Sequence, residues 1–122
     1  MFELTVISDF SAAHRLKGYA GKCEKLHGHN WKVSVVVESK DLNRIGIVMD
    51  FKDIKKELNK VLEKLDHKDL NKLIFFKKIN PSSENIASFI YSRISYKLKD
   101  KGVKIKKVSV WETDTSCATY SV

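Results

Sequence analysis

Two stretches of this chain alternate apolar and polar positions with a period of two. FELTVISDF, residues 2–10, and WKVSVVVES, residues 31–39, are rich in β-branched side chains and bounded by turn formers, so both are predicted strands. In the second, Trp31, Val33, Val35 and Val37 alternate with Lys32, Ser34, Val36 and Glu38, which buries one face. DLNRIGIVMDF begins as a loop, with IGIVM a short strand or turn. From Asp50 the period becomes helical: Phe51, Ile54, Leu58, Val61, Leu62 and Leu65 form one apolar stripe, with Asp50 placed as N-cap. HKDLNKLIFFKKINPSS has no period, and its LIFF run is either a plug over the core or a contact with another subunit. After Pro81, the residues Ser82 and Ser83 read as caps of a second helix. Ile86, Phe89, Ile90, Ile94 and Leu98 line that helix, and Gly102 ends it. KIKKVSVWET and CATYSV are two final strands, joined by a turn at residues 114–116.

The resulting order, ββ(β)ααββ, predicts an α+β fold: an antiparallel β-sheet with two helices packed on one face, in one domain over residues 1–122. Trp31, Trp111 and Tyr120 lie in strands whose second face has no helix left to cover it. Contiguous apolar surface there points to an oligomer.

Length and composition narrow the class. A chain of 122 residues with 43% apolar and 31% charged positions can bury an ordinary core. It has no run near the ~20 apolar residues that span a bilayer and no basic start followed by a long apolar stretch, so neither membrane nor secretory leader is expected. Two distant cysteines make no disulfide framework, which favours a reducing cytoplasm. The net charge is +8, from 23 Lys plus Arg against 15 Asp plus Glu. The bases are scattered rather than interleaved with aromatics along one element. Such interspersed charge reads first as a solvated surface, a nucleic-acid-binding module is the weaker reading, and a polyanionic small molecule is consistent with the surplus.

The chemistry concentrates in CEKLHGHNW, residues 23–31. In a strand, His27 and His29 point to one side, and Gly28 lets the backbone pass close between them. A hairpin-like pairing of the first two strands would bring His14 alongside. Three imidazoles without a fourth protein ligand describe a catalytic zinc with an open position. Cys23 is open to three readings: a fourth ligand, a buried core thiol, or a reactive thiol with Lys22 and Lys25 beside it. Asp66–His67 is either a surface pair or a proton relay in which the carboxylate fixes the imidazole tautomer. Glu112 is either an edge-strand charge or an acceptor for paired N–H groups on a heterocycle.

Taken in order, SAAHRL, CEKLHGHNW, MDFKDIK, LDHKDLN, NPSSENIA and WET resemble the 6-pyruvoyltetrahydropterin and 6-carboxytetrahydropterin synthase family over essentially the whole chain. The resemblance implies the tunnelling fold, whose trimers close a barrel and stack as a dimer of trimers, a hexamer with sites between subunits. It implies His14, His27 and His29 as zinc ligands, Cys23 as catalytic thiol and Asp66–His67 as relay. Glu112 would anchor the pterin, with Ser82 and Ser83 helping to hold it. The implied substrate is 7,8-dihydroneopterin triphosphate. The short Cys23–His27 spacing resembles the carboxy enzymes, which release acetaldehyde and triphosphate on the way to 7-deazaguanine nucleosides such as queuosine. A pyruvoyl synthase is the alternative. So is a folate-type variant that uses a glutamate near the cysteine, a position compatible with Glu24, and releases 6-hydroxymethyl-dihydropterin.

Overall fold

In the computed structural model, which describes residues 1–21 and 24–122, strands β1 (Phe2–His14) and β2 (His27–Ser39) pair antiparallel from Phe2↔Ser39 to His14↔His27. β4 (Lys104–Thr113) lies along the other side of β2, and β5 (Ser116–Ser121) closes the sheet beyond it. Helix α1 (Phe51–Leu62) follows β2. A two-residue strand β3 (Lys68–Asp69) comes next, then two short 3-10 turns and α2 (Ser83–Leu98). The strand order is β3-β1-β2-β4-β5.

The α+β class and the two helices agree with the sequence reading. The short strand differs in place: residues 45–49 take the turn alternative, as a turn and bends, while Lys68–Asp69 pairs parallel with Ala12–Ala13, so the sheet is mixed at that edge. A two-residue strand has no room for a period, which is why the pattern did not show it.

Period-two alternation sets the core. Val6, Phe10 and Ala12 of β1, Trp31, Val33, Val35 and Val37 of β2, and Ile105, Val108 and Val110 of β4 are all buried on the helix side. A register shift at Val36/Val37 places one extra β4 residue there and keeps Ile105 in phase with the core. Against them pack Ile54, Leu58, Val61 and Leu62 of α1 and Ile86, Ala87, Ile90, Ile94 and Leu98 of α2. Asp50 caps α1 by accepting from the Lys52 N–H, and Ser82 caps α2 by accepting from the Asn85 N–H. Phe51, assigned to the apolar stripe, is instead exposed at the first turn. LIFF is mainly a plug: Phe76 is buried and Phe75 lies 4.5 Å from Phe89 between ring centroids, while Ile74 faces outward.

The uncovered sheet face is more polar than the sequence suggested. Trp31 is fully buried on the helix side, and Tyr120 packs on Tyr91 of α2 at 5.0 Å. Of the three aromatics, Trp111 alone lies on the open face, beneath the Lys32 ammonium at 4.6 Å. Among the described residues, no helix is long and apolar enough to cross a membrane.

Ile90 is fully buried between α2 and the sheet. Ile90→Ala should destabilise the protein by about 2–5 kcal/mol, the usual cost of emptying such a site, read as a shift in the denaturant midpoint.

Candidate metal centre

The alternation that buries Val6, Phe10 and Ala12 carries on to His14, and that of β2 carries back from Trp31 to His29 and His27. The three histidines therefore occupy core-facing positions at the end of the sheet. His14 and His27 form the last β1–β2 rung, and Ala12 lies opposite His29. Ring centroids are 4.7 Å apart for His14–His27, 4.8 Å for His27–His29 and 5.4 Å for His14–His29. Trp31 is the floor, with its ring edge-on to both His14 and His29 and its indole N–H donating to the Ala12 carbonyl at 3.2 Å. From β4, Glu112 shares this face because Val110, two residues earlier, does. Its Oε1 lies 3.1 Å from His14 Nε2 and 3.2 Å from His29 Nε2.

The protonation pattern of the cluster tests whether a cation fits. His14 Nδ1 lies 2.6 Å from the Pro81 carbonyl and His27 Nδ1 lies 2.8 Å from the Lys25 carbonyl. A carbonyl only accepts, so each Nδ1 carries the hydrogen and each Nε2 is the atom turned inward; the Glu112 carboxylate 3.1 Å from His14 Nε2 also only accepts, so that contact calls for a proton or a cation between the two. His29 Nε2 is buried and, despite its nearness to Glu112, has no aligned hydrogen-bond partner. Burial pushes the His29 pKa below its ordinary value, with the Glu112 charge opposing and the other two histidines reinforcing that shift. Four candidate ligand atoms, one of them a carboxylate oxygen, lie within 4.8 Å of one another, and a positive charge between them would satisfy all four. Such donors suit a divalent metal, and imidazoles anchored through their other nitrogen to backbone carbonyls are the usual outer support of a metal site. These residues could hold one.

Gly28 is not needed for close approach: a Cβ there would meet only the Ala12 carbonyl oxygen at 3.9 Å, an ordinary contact. Cys23 lies outside the described residues. Asp66 and His67 form a couple on the outer edge of β1, with His67 Nδ1 donating to Asp66 Oδ2 at 2.9 Å. The Ser11 N–H donates to Asp66 Oδ1, and the His67 N–H donates back to the Ser11 carbonyl. His67 takes a left-handed backbone, φ 58°, and its side chain is 81% exposed. The Ser11 N–H and then the His67 ring hold the Asp66 carboxyl below the usual carboxylate range. Ser82 spends its hydroxyl as the helix cap, and Ser83 opens the helix.

What the sequence reading missed is that Glu112 belongs to the histidine cluster and that Pro81 supports it. Neither WET nor PSS carries a sign of this, because both contacts span more than 60 residues.

Native protein prepared without chelator should hold about one equivalent of divalent cation by elemental analysis. His29→Ala should reduce that to under a tenth, since the ring with the unpartnered buried nitrogen is then gone. The folded-state pKa of Asp66 is depressed, so its charge stabilises above the ordinary value of 3.8 and that contribution is lost as pH falls through the lower folded value. Asp66→Asn should therefore lower the thermal midpoint at pH 6–7, and the gap to the parent should close below about pH 4.

A family model described as 6-pyruvoyl tetrahydropterin synthase matches residues 3–122. A 6-carboxy-5,6,7,8-tetrahydropterin synthase of a Synechocystis strain is 39% identical over 117 residues, covering 91% of this chain and 86% of that protein. A dihydroneopterin monophosphate aldolase of Pyrococcus furiosus is 42% identical over 105 residues, covering 86% and 84%. The solved 6-pyruvoyl tetrahydropterin synthase of Caenorhabditis elegans superposes with a TM-score of 0.86 at 27% identity, covering 99% of this chain and 95% of that one. With its sheet, helices and histidine cluster in place, this chain belongs to the 6-pyruvoyl tetrahydropterin synthase family.

Proposed function

We propose that this protein is a zinc-dependent 6-carboxytetrahydropterin synthase, which converts 7,8-dihydroneopterin triphosphate to 6-carboxytetrahydropterin, acetaldehyde and triphosphate for 7-deazaguanine biosynthesis. The observation that carries the reading is the convergence of His14, His27, His29 and Glu112 on one point at the end of the sheet. Relatives named for this activity, such as the 39% identical one, support the choice of product.

Zinc, when bound by the three histidines, would supply Lewis acidity to the oxygens of the substrate side chain. The chain's own groups do the rest. With the cation neutralising the imidazole lone pairs, Glu112, about one third exposed, accepts the paired N–H groups of the pterin ring. Asp66 holds the hydrogen of His67 on Nδ1, which leaves Nε2 free to take and return a proton. Cys23 is the second proton-transfer group, and Ser82 and Ser83 line the pterin side near the start of α2.

The relay pair is exposed on the sheet's outer edge, where a second subunit can dock. This suits an oligomer in which one chain's Asp66–His67 completes another chain's histidine cluster, a hexamer built as a dimer of trimers in the cytoplasm. A second reading has a specific observation behind it. The 42% identical relative is named a dihydroneopterin monophosphate aldolase, and Glu24 stands beside Cys23. On that reading the product is 6-hydroxymethyl-dihydropterin. A 6-pyruvoyl product would mark the remaining branch.

Incubating the zinc-loaded protein with 7,8-dihydroneopterin triphosphate should yield carboxypterin and acetaldehyde by mass spectrometry. A hydroxymethyl or pyruvoyl pterin without acetaldehyde overturns the assignment. Cys23→Ala should retain its zinc and lose at least a hundredfold in kcat, the usual scale for removing a proton-transfer group; loss of the metal would make the thiol a ligand instead.

A further inference from the structure

Of the four groups that converge at the end of the sheet, three stand on paired strand and one does not. His14 and His27 share the last β1–β2 rung, each pinned through Nδ1 to a main-chain carbonyl, and His29 lies in the same ladder opposite Ala12. Glu112 has no such support. The β2–β4 pairing ends one residue before it, at Lys32↔Trp111. On its other side Trp111 pairs with Cys117 and Thr113 with Ser116, so the register shifts by one and Glu112 is the extra residue. Such a bulge re-aims a side chain and releases it from the ladder. Among the described residues, the Glu112 carboxylate contacts only histidines, both times through Oε1.

The lengths of those two contacts are informative. Oε1 stands 3.1 Å from His14 Nε2 and 3.2 Å from His29 Nε2. A shared proton accounts for the first but not for the second, because His29 Nε2 is buried without an aligned hydrogen-bond partner. Donors that bind one zinc ion at about 2.0–2.2 Å stand about 3.3–3.5 Å apart at the corners of a tetrahedron. Both separations lie close to that edge, and all four candidate atoms stay within 4.8 Å of one another. Three rings and a carboxylate oxygen make a closed donor set, whereas taking up a substrate oxygen requires an open corner.

We infer that Glu112 is a displaceable fourth ligand: its carboxylate closes the metal site in the free protein and leaves it when a pterin ring claims the same group. This rests on the proposed pterin role of Glu112. Turning both carboxylate oxygens to the paired N–H groups of a ring takes Oε1 away from the histidines, so closure and pterin occupancy exclude each other. The bulge and a side chain about one third exposed give the group room to turn. The corner therefore opens only once a pterin is seated, and the correct substrate assembles its own reactive site.

Cobalt(II) is the probe for the test, since it occupies zinc sites and its visible bands report the number and kind of its ligands. The cobalt-loaded parent and Glu112→Ala are titrated with unsubstituted pterin, which carries no side-chain oxygens to reach the metal. Equilibrium dialysis scores pterin binding, and competition with a chromophoric chelator scores zinc affinity. The parent should show four-coordinate bands that shift as pterin binds. Glu112→Ala should show the shifted bands without pterin, respond to pterin no further, and hold zinc at least tenfold more weakly. Parent and variant bands that superimpose would overturn the inference, because the carboxylate then lies outside the ligand set whatever the change in affinity. Pterin that binds the parent without moving its bands would overturn it too, with the anchoring role intact; this arm needs no variant. Pterin that fails to bind would sink the anchoring role and the inference together. No turnover is measured, so a hydroxymethyl or pyruvoyl product would refute the proposed reaction and leave this result standing.

Discussion

One rung of main-chain pairing, His14 opposite His27, is what the candidate site depends on. Because side chains alternate strictly along a strand, the antiparallel register from Phe2↔Ser39 onward decides which side of the sheet each histidine takes. A slip of one residue would turn His27 and His29 to the open face and expose Trp31 in place of Lys32. Packing of Val33, Val35 and Val37 against the helices forbids that slip. The core that stabilises the sheet is thus also what aims the candidate metal ligands.

The site lies where the apolar core runs out. Along β1 the inward positions read Val6, Phe10, Ala12, His14, and along β2 they read Val35, Val33, Trp31, His29, His27. The polar groups are reached only after the tryptophan has sealed the interior. Burial then favours the uncharged form of His29, and the carbonyls of Pro81 and Lys25 hold Nδ1 of the other two rings outward. Glu112 adds a carboxylate beside the three inward ring nitrogens. This is an arrangement that a bound cation would relieve, and any metal held there would couple its affinity to folding.

Around this centre, segments far apart in the chain are tied by polar contacts rather than by core packing. Ser11 holds Asp66 and His67, Asn71 holds Arg15, Asn80 holds Lys17, and Pro81 holds His14. Polar side chains pairing with main-chain groups give direction where apolar contacts would give only proximity. Directional fixing suits a site that must hold its groups at set places.

The strands, both helices, their caps at Asp50 and Ser82, and the shared side of His14, His27 and His29 follow from periods of two and 3.6 in the residues themselves, because those periods are local. The family could be recognised from short motifs for the same reason. Only the tertiary structure placed Glu112 against the histidines, turned Trp31 and Tyr120 toward the helices, set the two-residue strand at Lys68–Asp69, and tied Asn71 to Arg15 and Asn80 to Lys17. Each of those depends on groups 50 or more residues apart, or on which neighbour covers a given face. Such contacts are decided by how layers pack and which main-chain groups are left unpaired, and they leave no periodic trace along the chain.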